Sequence, residues 1–278
     1  MKRATTTTKN IYGQVITVFV GDYIGNKIIA KGIYEKQLVS YVDKILGAMN
    51  NPVVFDIGAN IGNHALSFAR KASQVYAFEP VPEIFSVLSQ NAKQNKLSNI
   101  ACMKIALSNI NGEDEIFLFQ ENLGATSFDK HDEHVMPIRV LKRIGDEVVT
   151  EQGINRVDFI KIDTEGHEAY VLLGLTETIK KSQPYVIVEW HDPLTINRFQ
   201  KAKILKTIFA DYNVYVLGTN FDALYWQDKP FAKIKHRLVR LFCRKQMRLY
   251  HFDQTKAYKN ILLDRKSTRL NSSHTSTS

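Results

Sequence analysis

The sequence has few cysteines and no long apolar run. Its 278 residues include two cysteines, Cys102 and Cys243, which are too few and too far apart for a disulfide framework or a cysteine-based zinc site. No stretch approaches the roughly 18 consecutive apolar residues that a membrane-spanning helix needs. The N-terminal "MKRATTTTKN" has basic residues but no apolar segment behind them, so we expect no secretory signal there. These absences favour a reducing, cytoplasmic location.

Acidic residues are scarce in the C-terminal fifth. The chain carries a net charge of +9, and residues 229–269 hold thirteen lysines and arginines against two acids, so the rest of the chain carries −2. Within this region, residues 231–252 place apolar side chains on one stripe and Lys and Arg on the other. The pattern predicts an amphipathic helix that docks on the domain. The alternative is peripheral contact of residues 231–252 with an anionic membrane surface or with nucleic acid.

Apolar residues are almost absent from the C-terminal tail. Residues 265–278 contain one leucine among Ser, Thr and Asn, which predicts a disordered segment that is not native. We therefore expect four regions: N-terminal strands and a lead-in helix in 1–50, an α/β domain in 51–228, a basic amphipathic extension in 229–264, and the tail in 265–278.

Apolar strand-like runs alternate with amphipathic helical patterns through the middle of the chain. This alternation predicts a doubly wound α/β fold, in which helices cover both faces of a parallel sheet. Strands are predicted at 53–57, 75–79, 100–106, 158–163 and 185–190, and helices at 62–71, 82–95, 166–181 and 196–210. An earlier helix, with Leu38, Val42 and Ile45 on one stripe, is expected to end at Gly47.

Three further segments are expected to form antiparallel structure. Residues 15–20 and 26–32 resemble two short strands separated by glycines, and 113–140 interrupts the alternation with short strands. Residues 214–218 and 223–226 are predicted to form a closing hairpin.

Polar side chains stand at the ends of four predicted strands: Asp56, Glu79, Asp163 and Glu189. Ligands of doubly wound sheets bind at the carboxyl ends of the strands, near the point where the strand order reverses. These four residues are therefore the first candidates for a functional site.

The stretch "DIGANIG" (56–62) indicates which ligand the turn suits. A dinucleotide site would favour G-x-G-x-x-G, whereas the glycines here are spaced G-x-x-x-G, and Asp56 would repel a pyrophosphate. A ligand with an ammonium and a sulfonium would be attracted instead. S-adenosylmethionine is such a ligand, and Glu79 at the next strand end can accept hydrogen bonds from its ribose hydroxyls.

The sequence resembles the FkbM-type S-adenosylmethionine-dependent methyltransferases over roughly residues 30–190. The resemblance implies the seven-stranded, Rossmann-like class I methyltransferase fold and transfer of a methyl group to a hydroxyl oxygen. Family members commonly act on sugars, glycan-bearing lipids or polyketide products. The segments that carry it are "GIYEKQLV", "FDIGANIGNHALSFA", "VYAFEPVPEIFSVLSQNAKQN", "VDFIKIDTEGHEAYVLLG" and "PYVIVEW".

Two motifs are carried over to this chain by that resemblance. The cofactor motif maps onto Asp56, Gly58, Asn60, Gly62 and Glu79. The second motif, D-x-E-G-x-E, maps onto Asp163, Glu165, Gly166 and Glu168.

Methyl transfer to a hydroxyl is aided by a base that accepts the proton, by about 10²–10⁴-fold. The candidates at the strand ends are Asp163, Glu165, His167, Glu189 and His191. Glu189 is the best placed by topology. His167 lies near a predicted helix N-terminus, where the dipole disfavours the imidazolium. Each of them could instead be a structural polar residue.

We expect no metal site. Asp163, Glu189, His191 and Asp192 could supply hard ligands, but their spacing gives no ligand signature. "KHDEH" (130–134) is interpreted as a solvated turn, and "NLGATSF" (122–128) as a loop near the cofactor.

The sequence therefore predicts a methyltransferase that uses S-adenosyl-L-methionine and a small-molecule or glycan acceptor. An RNA ribose methyltransferase is the first alternative, because the C-terminal region is basic, although nucleic acid is not the expected partner. A non-catalytic protein that binds S-adenosylmethionine is the second.

Overall fold

The structure is a computed structural model that describes residues 3–118, 136–190, 193–219, 246–254 and 256–265. Its strands are β1 (Thr5–Lys9), β2 (Val15–Phe19), β3 (Val53–Ile57), β4 (Gln74–Phe78), β5 (Ile100–Met103), β6 (Ala106–Ser108), β7 (Gly112–Leu118), β8 (Met136–Ile144), β9 (Phe159–Ile162), β10 (Tyr185–Trp190), β11 (Tyr212–Thr219), β12 (Met247–His251) and β13 (Tyr258–Arg265). Its helices are α1 (Tyr23–Lys31), α2 (Lys36–Gly47), α3 (Asn63–Phe68), α4 (Pro82–Gln94), α5 (Gly145–Glu151), α6 (Glu168–Gly174), α7 (Thr176–Ser182), α8 (Pro193–Lys201) and α9 (Ile204–Thr207).

An eight-stranded sheet forms the centre of the fold, in the order β12-β11-β13-β10-β9-β3-β4-β5. β5, β4, β3, β9 and β10 run parallel, and β13 is antiparallel to both of its neighbours. The chain moves outward from β3 to β5 and then returns to β9 on the other side of β3. This arrangement confirms the predicted doubly wound, class I methyltransferase-like sheet, and it places the reversal of strand order between β3 and β9.

The parallel strands read as continuous apolar runs because helices cover the sheet on both faces. Phe55 in β3, Ile160 in β9 and Val188 in β10 are all fully buried. These side chains belong to one large apolar cluster that also contains the helical residues Leu172 and Phe199. The carboxyl ends of the strands are therefore held on a rigid layer.

A separate three-stranded sheet lies beyond β5. The predicted strand over 100–106 ends at Met103, and residues 106–108 form β6, which pairs with β8 in the order β6-β8-β7. The antiparallel strands expected within 113–140 are confirmed as β7 and β8.

The strand predicted at 26–32 is wrong, because these residues lie in α1. Asp22 caps this helix by accepting a hydrogen bond from the backbone N–H of Gly25, and Gly32 ends it with φ +71°. An N-cap aspartate and a terminal glycine outweigh the β-branched residues between them. The strand predicted at 15–20 is confirmed as β2, which pairs with β1.

The C-terminal predictions need two corrections. β11 pairs with β12 on one edge and with β13 on the other. Residues 247–251 form β12 rather than the end of a helix over 231–252, and β13 is an interior strand of the sheet rather than part of a separate extension over 229–264. The apolar run at 261–263 explains this position, since an interior strand is buried on both faces.

The remainder of the predicted basic helix, residues 231–245, lies outside the described residues, as do the hairpin residues 223–226 and the tail after Arg265. In the part of the chain that the structure describes, no helix combines the length and apolar character that a membrane span requires.

Candidate active site

A cavity opens at the carboxyl ends of β3, β4, β9 and β10. Its described lining includes the β3–α3 turn, the end of β4, the loop after β9 and the end of β10. The strand-end acids Glu79, Asp163 and Glu189 all line it. Three of the four polar residues at the strand ends therefore lie at one site, as predicted.

The β3–α3 turn is packed tightly between β4 and β9. The backbone N–H groups of Gly58 and Ala59 both donate to the carbonyl oxygen of Phe78, at 3.0 and 2.9 Å. Gly58 has φ +78°, and a Cβ atom there would lie 1.8 Å from the carbonyl oxygen of Asp163. Gly62 has φ +93° and faces the side chains of Leu66 and Leu88. The two glycines of the motif thus permit close packing of the turn.

Glu79 connects the end of β4 with this turn. Its carboxylate accepts hydrogen bonds from the backbone N–H groups of Asn60 and Val81, at 3.0 and 2.9 Å. Burial raises the pKa of Glu79 to about 7, although both N–H donors act in the opposite direction. A carboxylate offers about four acceptor positions, so two remain for hydroxyl groups of a ligand.

Asp56 does not belong to the cavity wall. Its carboxylate is completely buried one layer below, and neither oxygen has a hydrogen-bond partner among the described residues. Burial raises its pKa, and the nearby Lys161 and His64 oppose that shift. A role for Asp56 in cofactor binding stays a prediction, and it would act through the residues above it rather than by direct contact.

Lys161 is a buried cation beneath the site that the sequence motifs did not single out. It lies beside Asp56 in the parallel register of β3 and β9, and its Nζ donates to Asp163 at 2.8 Å. Burial would lower its pKa, but Asp163 and Asp56 raise it above the usual value. A lysine within the apolar run "FIKI" was the available signal, since interior strands rarely contain an unpaired charge.

The loop after β9 is held by the last residue of the D-x-E-G-x-E motif. Glu168 is fully buried, and its Oε1 accepts from the backbone N–H groups of Thr164 and Gly166 and from the Thr164 hydroxyl. Glu165 stands in the left-handed region with φ +49°. Glu168 therefore shapes the loop, and Glu165 is presented at the cavity.

Three carboxylates meet on this side of the cavity. Oxygen atoms of Asp163, Glu165 and Glu189 all lie within 4.8 Å of one another. A bulge between Glu189 and Trp190 changes the register with β13, and bulges of this kind commonly redirect a side chain beside an active site. The trio offers hard oxygen ligands for a metal ion. Two of its members, Asp163 and Glu189, are among the four metal candidates named from the sequence. The other two, His191 and Asp192, lie outside the described residues.

His167 lines the cavity, as expected for a candidate base. It is buried, and its Nε2 lies 3.0 Å from the hydroxyl of Ser108 in β6. Its ring also packs on Tyr170. These contacts fix the position of the imidazole, and its role as a base stays a prediction.

A further wall comes from the segment before α2, which the sequence motifs did not assign to the site. The backbone of Tyr34 exchanges two hydrogen bonds with the side chain of Asn63, at 3.0 and 3.1 Å. Next to it, Glu35 lies between His64 at 3.4 Å and the closely paired Lys259. Tyr34, Asn63 and His64 all line the cavity. Only the position of "IYEK" before the cofactor motif hinted at this arrangement.

The charges of the lining limit what the cavity can bind. Its described lining contains four carboxylates, on Glu79, Asp163, Glu165 and Glu189, and two imidazoles, but no lysine or arginine. A pyrophosphate would find no lysine or arginine to pair with among these described residues. A nucleoside with a positive centre fits this set of groups, since carboxylates favour both hydroxyl donors and cations.

The loop 122–128, predicted near the cofactor, and the "KHDEH" segment 130–134, predicted to be a solvated turn, both lie outside the described residues.

Comparison with known proteins identifies the family. The methyltransferase FkbM domain matches residues 56–216. Methyltransferase sdnD from Sordaria araneosa is 30% identical over 203 residues, with 62% of this chain and 78% of that protein covered. The hexuronic acid methyltransferase AglP from Haloferax volcanii is 32% identical over 170 residues, with coverage of 60% and 68%. The 2-O-methyltransferase NoeI from Sinorhizobium fredii is 27% identical over 175 residues, with coverage of 57% and 69%.

The family match spans more than half of the chain and includes the end of β3, the β3–α3 turn, β9 and β10. This chain belongs to the FkbM family of methyltransferases.

Proposed function

We propose that this protein is an S-adenosyl-L-methionine-dependent O-methyltransferase that acts on a hydroxyl of a carbohydrate, a glycoconjugate or a similar natural product. The observation that carries the proposal is the cavity itself, in which Glu79 and the Asp163–Glu165–Glu189 trio occupy different strand ends of one lining. One end offers hydrogen-bond acceptors for the ribose hydroxyls of the cofactor. The other end offers a base for the hydroxyl group that would be methylated.

The cofactor end is formed by Glu79 and the β3–α3 turn. When bound, S-adenosylmethionine supplies the methyl group on a positively charged sulfur. Glu79 would accept from the ribose hydroxyls, while its bonds to Asn60 and Val81 keep the carboxylate in place. Gly58 allows the turn to lie against β9, which keeps Asp163 close to the bound cofactor.

The acceptor end is formed by the carboxylate trio. We assign Glu189 as the base, because it lines the cavity at the end of β10 and belongs to the carboxylate trio. It would take the proton of the acceptor hydroxyl when the methyl group is transferred from the sulfur of the cofactor, which would leave as S-adenosylhomocysteine. A carbohydrate acceptor is supported by the relative whose name specifies a hexuronic acid, and transfer to oxygen by the relative named as a 2-O-methyltransferase.

The test is calorimetric titration of the full chain with S-adenosylmethionine, S-adenosylhomocysteine and NADH. We expect micromolar dissociation constants for the first two and no binding of NADH. A screen of glycans with a labelled methyl donor then follows, with transfer to a hydroxyl as the expected product. Binding of NADH in place of S-adenosylhomocysteine, or transfer to nitrogen or carbon, would contradict the proposal.

Glu79→Gln should weaken the binding of S-adenosylhomocysteine at least about tenfold, because a hydrogen bond to a charged group contributes about 1.5–3 kcal/mol. The amide keeps the size of the side chain but can no longer accept at both oxygen positions. Calorimetry measures the effect.

Glu83→Gln is the matched control, since Glu83 lies one helical turn away and contacts the backbone of Arg3 outside the cavity. Equal affinities for wild type and Glu79→Gln would remove Glu79 from the ribose site.

A further inference from the structure

Two tyrosines form the part of the cavity wall that meets solvent. Tyr23 in α1 and Tyr34 before α2 both line the cavity, and their rings meet edge to face with centroids 6.2 Å apart. Tyr23 is 49% exposed, and the methyl transfer proposed above gives it no role. A half-exposed ring in the wall of a cavity offers an apolar surface on which a ligand can pack.

A lysine stands over each of these rings. The Nζ of Lys27 lies 5.0 Å from the centroid of Tyr23, and the Nζ of Lys259 in β13 lies 5.5 Å from the centroid of Tyr34. Neither lysine belongs to the described lining, but each contacts a ring that does. Together these four residues form the tyrosine–lysine rim.

Both lysines can still bind an anion. Lys27 has no acid at ion-pair distance within the described parts of the chain. Lys259 is 57% exposed and is closely paired with Glu35. An ammonium has three N–H donors, so the contacts of Lys259 with Glu35 and with the Tyr34 hydroxyl leave one for a ligand.

The tyrosine–lysine rim borders the carboxylate trio. Burial would lower the pKa of Lys259, but Glu35 and Glu189 are among the groups that raise it, so the ammonium lies within electrostatic reach of the assigned base. Burial is the main reason that the pKa of Tyr34 is raised to about 12, and Asp163 contributes to the same shift. The rim is therefore placed to contact the acceptor rather than to take part in the chemistry.

The sign of the charge changes between the rim and the interior of the cavity. Four described carboxylates line the interior, whereas two lysines stand at the rim. An anionic group of a ligand would be repelled by the interior and attracted to the rim, while neutral hydroxyls can donate to the carboxylates. A sugar with one acidic substituent would thus enter with the acid outward and its hydroxyls toward the trio.

We propose that the tyrosine–lysine rim binds an acceptor sugar that carries an anionic substituent, with the sugar ring packed on Tyr23 and the anion paired with Lys259 and Lys27. This inference rests on the proposed function, because it names the class of acceptor for the same site. All four rim residues lie outside residues 56–216, which match the family domain. The choice of acceptor is therefore made by segments that surround that domain.

The test compares sugars that differ at carbon 6 alone. Methyl β-glucoside is neutral, methyl β-glucuronide has a carboxylate there, and the 6-sulfate of the glucoside has a sulfate. Each is titrated by ligand-observed NMR into the full chain saturated with S-adenosylhomocysteine. We expect wild type to bind the glucuronide about tenfold more tightly than the glucoside. Tighter binding of the sulfate as well would show that the rim selects charge rather than a carboxylate.

The lysine variants test the anion contact. Lys259→Gln should weaken binding of the glucuronide about fivefold, the upper range for an exposed ion pair, and change binding of the glucoside less than twofold. Lys27→Gln should act in the same direction with a smaller effect. Lys256→Gln is the matched control, since Lys256 is also exposed and paired, with Asp253, but contacts neither tyrosine.

The aromatic variant tests the packing of the sugar ring. Tyr23→Ala should weaken binding of the glucuronide and the glucoside alike, by about three- to tenfold. Ile29→Ala is the matched control, because Ile29 is equally exposed in the same helix but does not line the cavity. The affinity of every variant for S-adenosylhomocysteine should stay within about twofold of wild type, which shows that the protein is folded.

The outcomes separate this inference from the function beneath it. If wild type does not bind S-adenosylhomocysteine, the proposed cofactor is wrong. If wild type binds S-adenosylhomocysteine but binds the three sugars equally, or binds none of them, the rim does not select an anionic sugar. A preference that survives in both lysine variants, or unchanged binding in Tyr23→Ala, would also overturn the inference. Selective loss of the anionic sugars in Lys259→Gln, with weaker binding of all sugars in Tyr23→Ala, supports it.

Discussion

Gly58→Ala is expected to prevent stable folding. The backbone at this position has φ +78°, and the new methyl group would lie 1.8 Å from the carbonyl oxygen of Asp163. That oxygen belongs to the backbone at the end of β9, so the overlap can be relieved only by separating the ends of β3 and β9. We expect the free energy of unfolding to fall by about 4–5 kcal/mol or more, measured by urea denaturation followed by circular dichroism.

Gly153→Ala provides the matched control for this substitution. Gly153 also has a left-handed backbone, with φ +62°, but a Cβ atom there would meet nothing within 4 Å. Gly153→Ala should therefore lower the free energy of unfolding only by the cost of placing an alanine in the left-handed region, about 1–2 kcal/mol. If Gly58→Ala costs no more than Gly153→Ala, the close approach of β3 and β9 is not as tight as described.

Glu189→Gln should lower turnover by about 10²-fold or more while leaving the affinity for S-adenosylhomocysteine within about threefold. The amide keeps the shape of the side chain at the end of β10 but cannot accept the proton of the acceptor hydroxyl. Turnover is measured as transfer of labelled methyl to the acceptor found by the glycan screen, and affinity is measured by calorimetry on the same preparation.

Glu177→Gln is the surface control, because Glu177 is exposed and pairs with Lys180 outside the site. It should match wild type in both measurements. Unchanged turnover in Glu189→Gln would transfer the assignment of the base to Asp163, Glu165 or His167. A parallel loss of cofactor affinity would instead indicate that Glu189 holds the cofactor.

Much of the central fold follows from local sequence patterns. The strands β3, β4, β9 and β10 are short, mainly apolar runs with an acidic residue within one position of their last residue, and a helix or helical loop follows each. Such runs give a parallel sheet because their side chains must be buried on both faces. The turn at Gly58 and the carboxylates Glu79, Asp163 and Glu189 could be predicted from the sequence for a related reason. The carboxyl ends of parallel strands all lie at the same edge of the sheet.

The two ends of the domain were harder to predict. In α1 the β-branched residues favoured a strand, and the signals that decide the helix are its caps, Asp22 and Gly32. β13 lies between polar and basic segments, so the high net charge of the region obscured a strand whose three central residues are fully buried. Its place between β10 and β11 depends on contacts far apart in sequence, which no local pattern encodes.

The parts of the site that sequence did not reveal are those formed by pairs of distant residues. Lys161 pairs with Asp163 two residues away, but its effect on Asp56 depends on the register of β3 and β9. Glu35 comes together with His64 and Lys259 only because α2, α3 and β13 meet beside the cavity. Glu35 and Lys259 show no distinctive local pattern in the sequence, and their role depends on their tertiary neighbours.

The interior position of β13 has a consequence for how the chain is made. β13 follows the other strands of its sheet in chain order, yet it separates β10 from β11. During synthesis on the ribosome, β10 and β11 therefore each present an unpaired edge until residues 258–265 emerge. Open edges recruit strands from other chains. A nascent or prematurely terminated chain lacking these residues should thus aggregate or require a chaperone, rather than form a smaller folded domain.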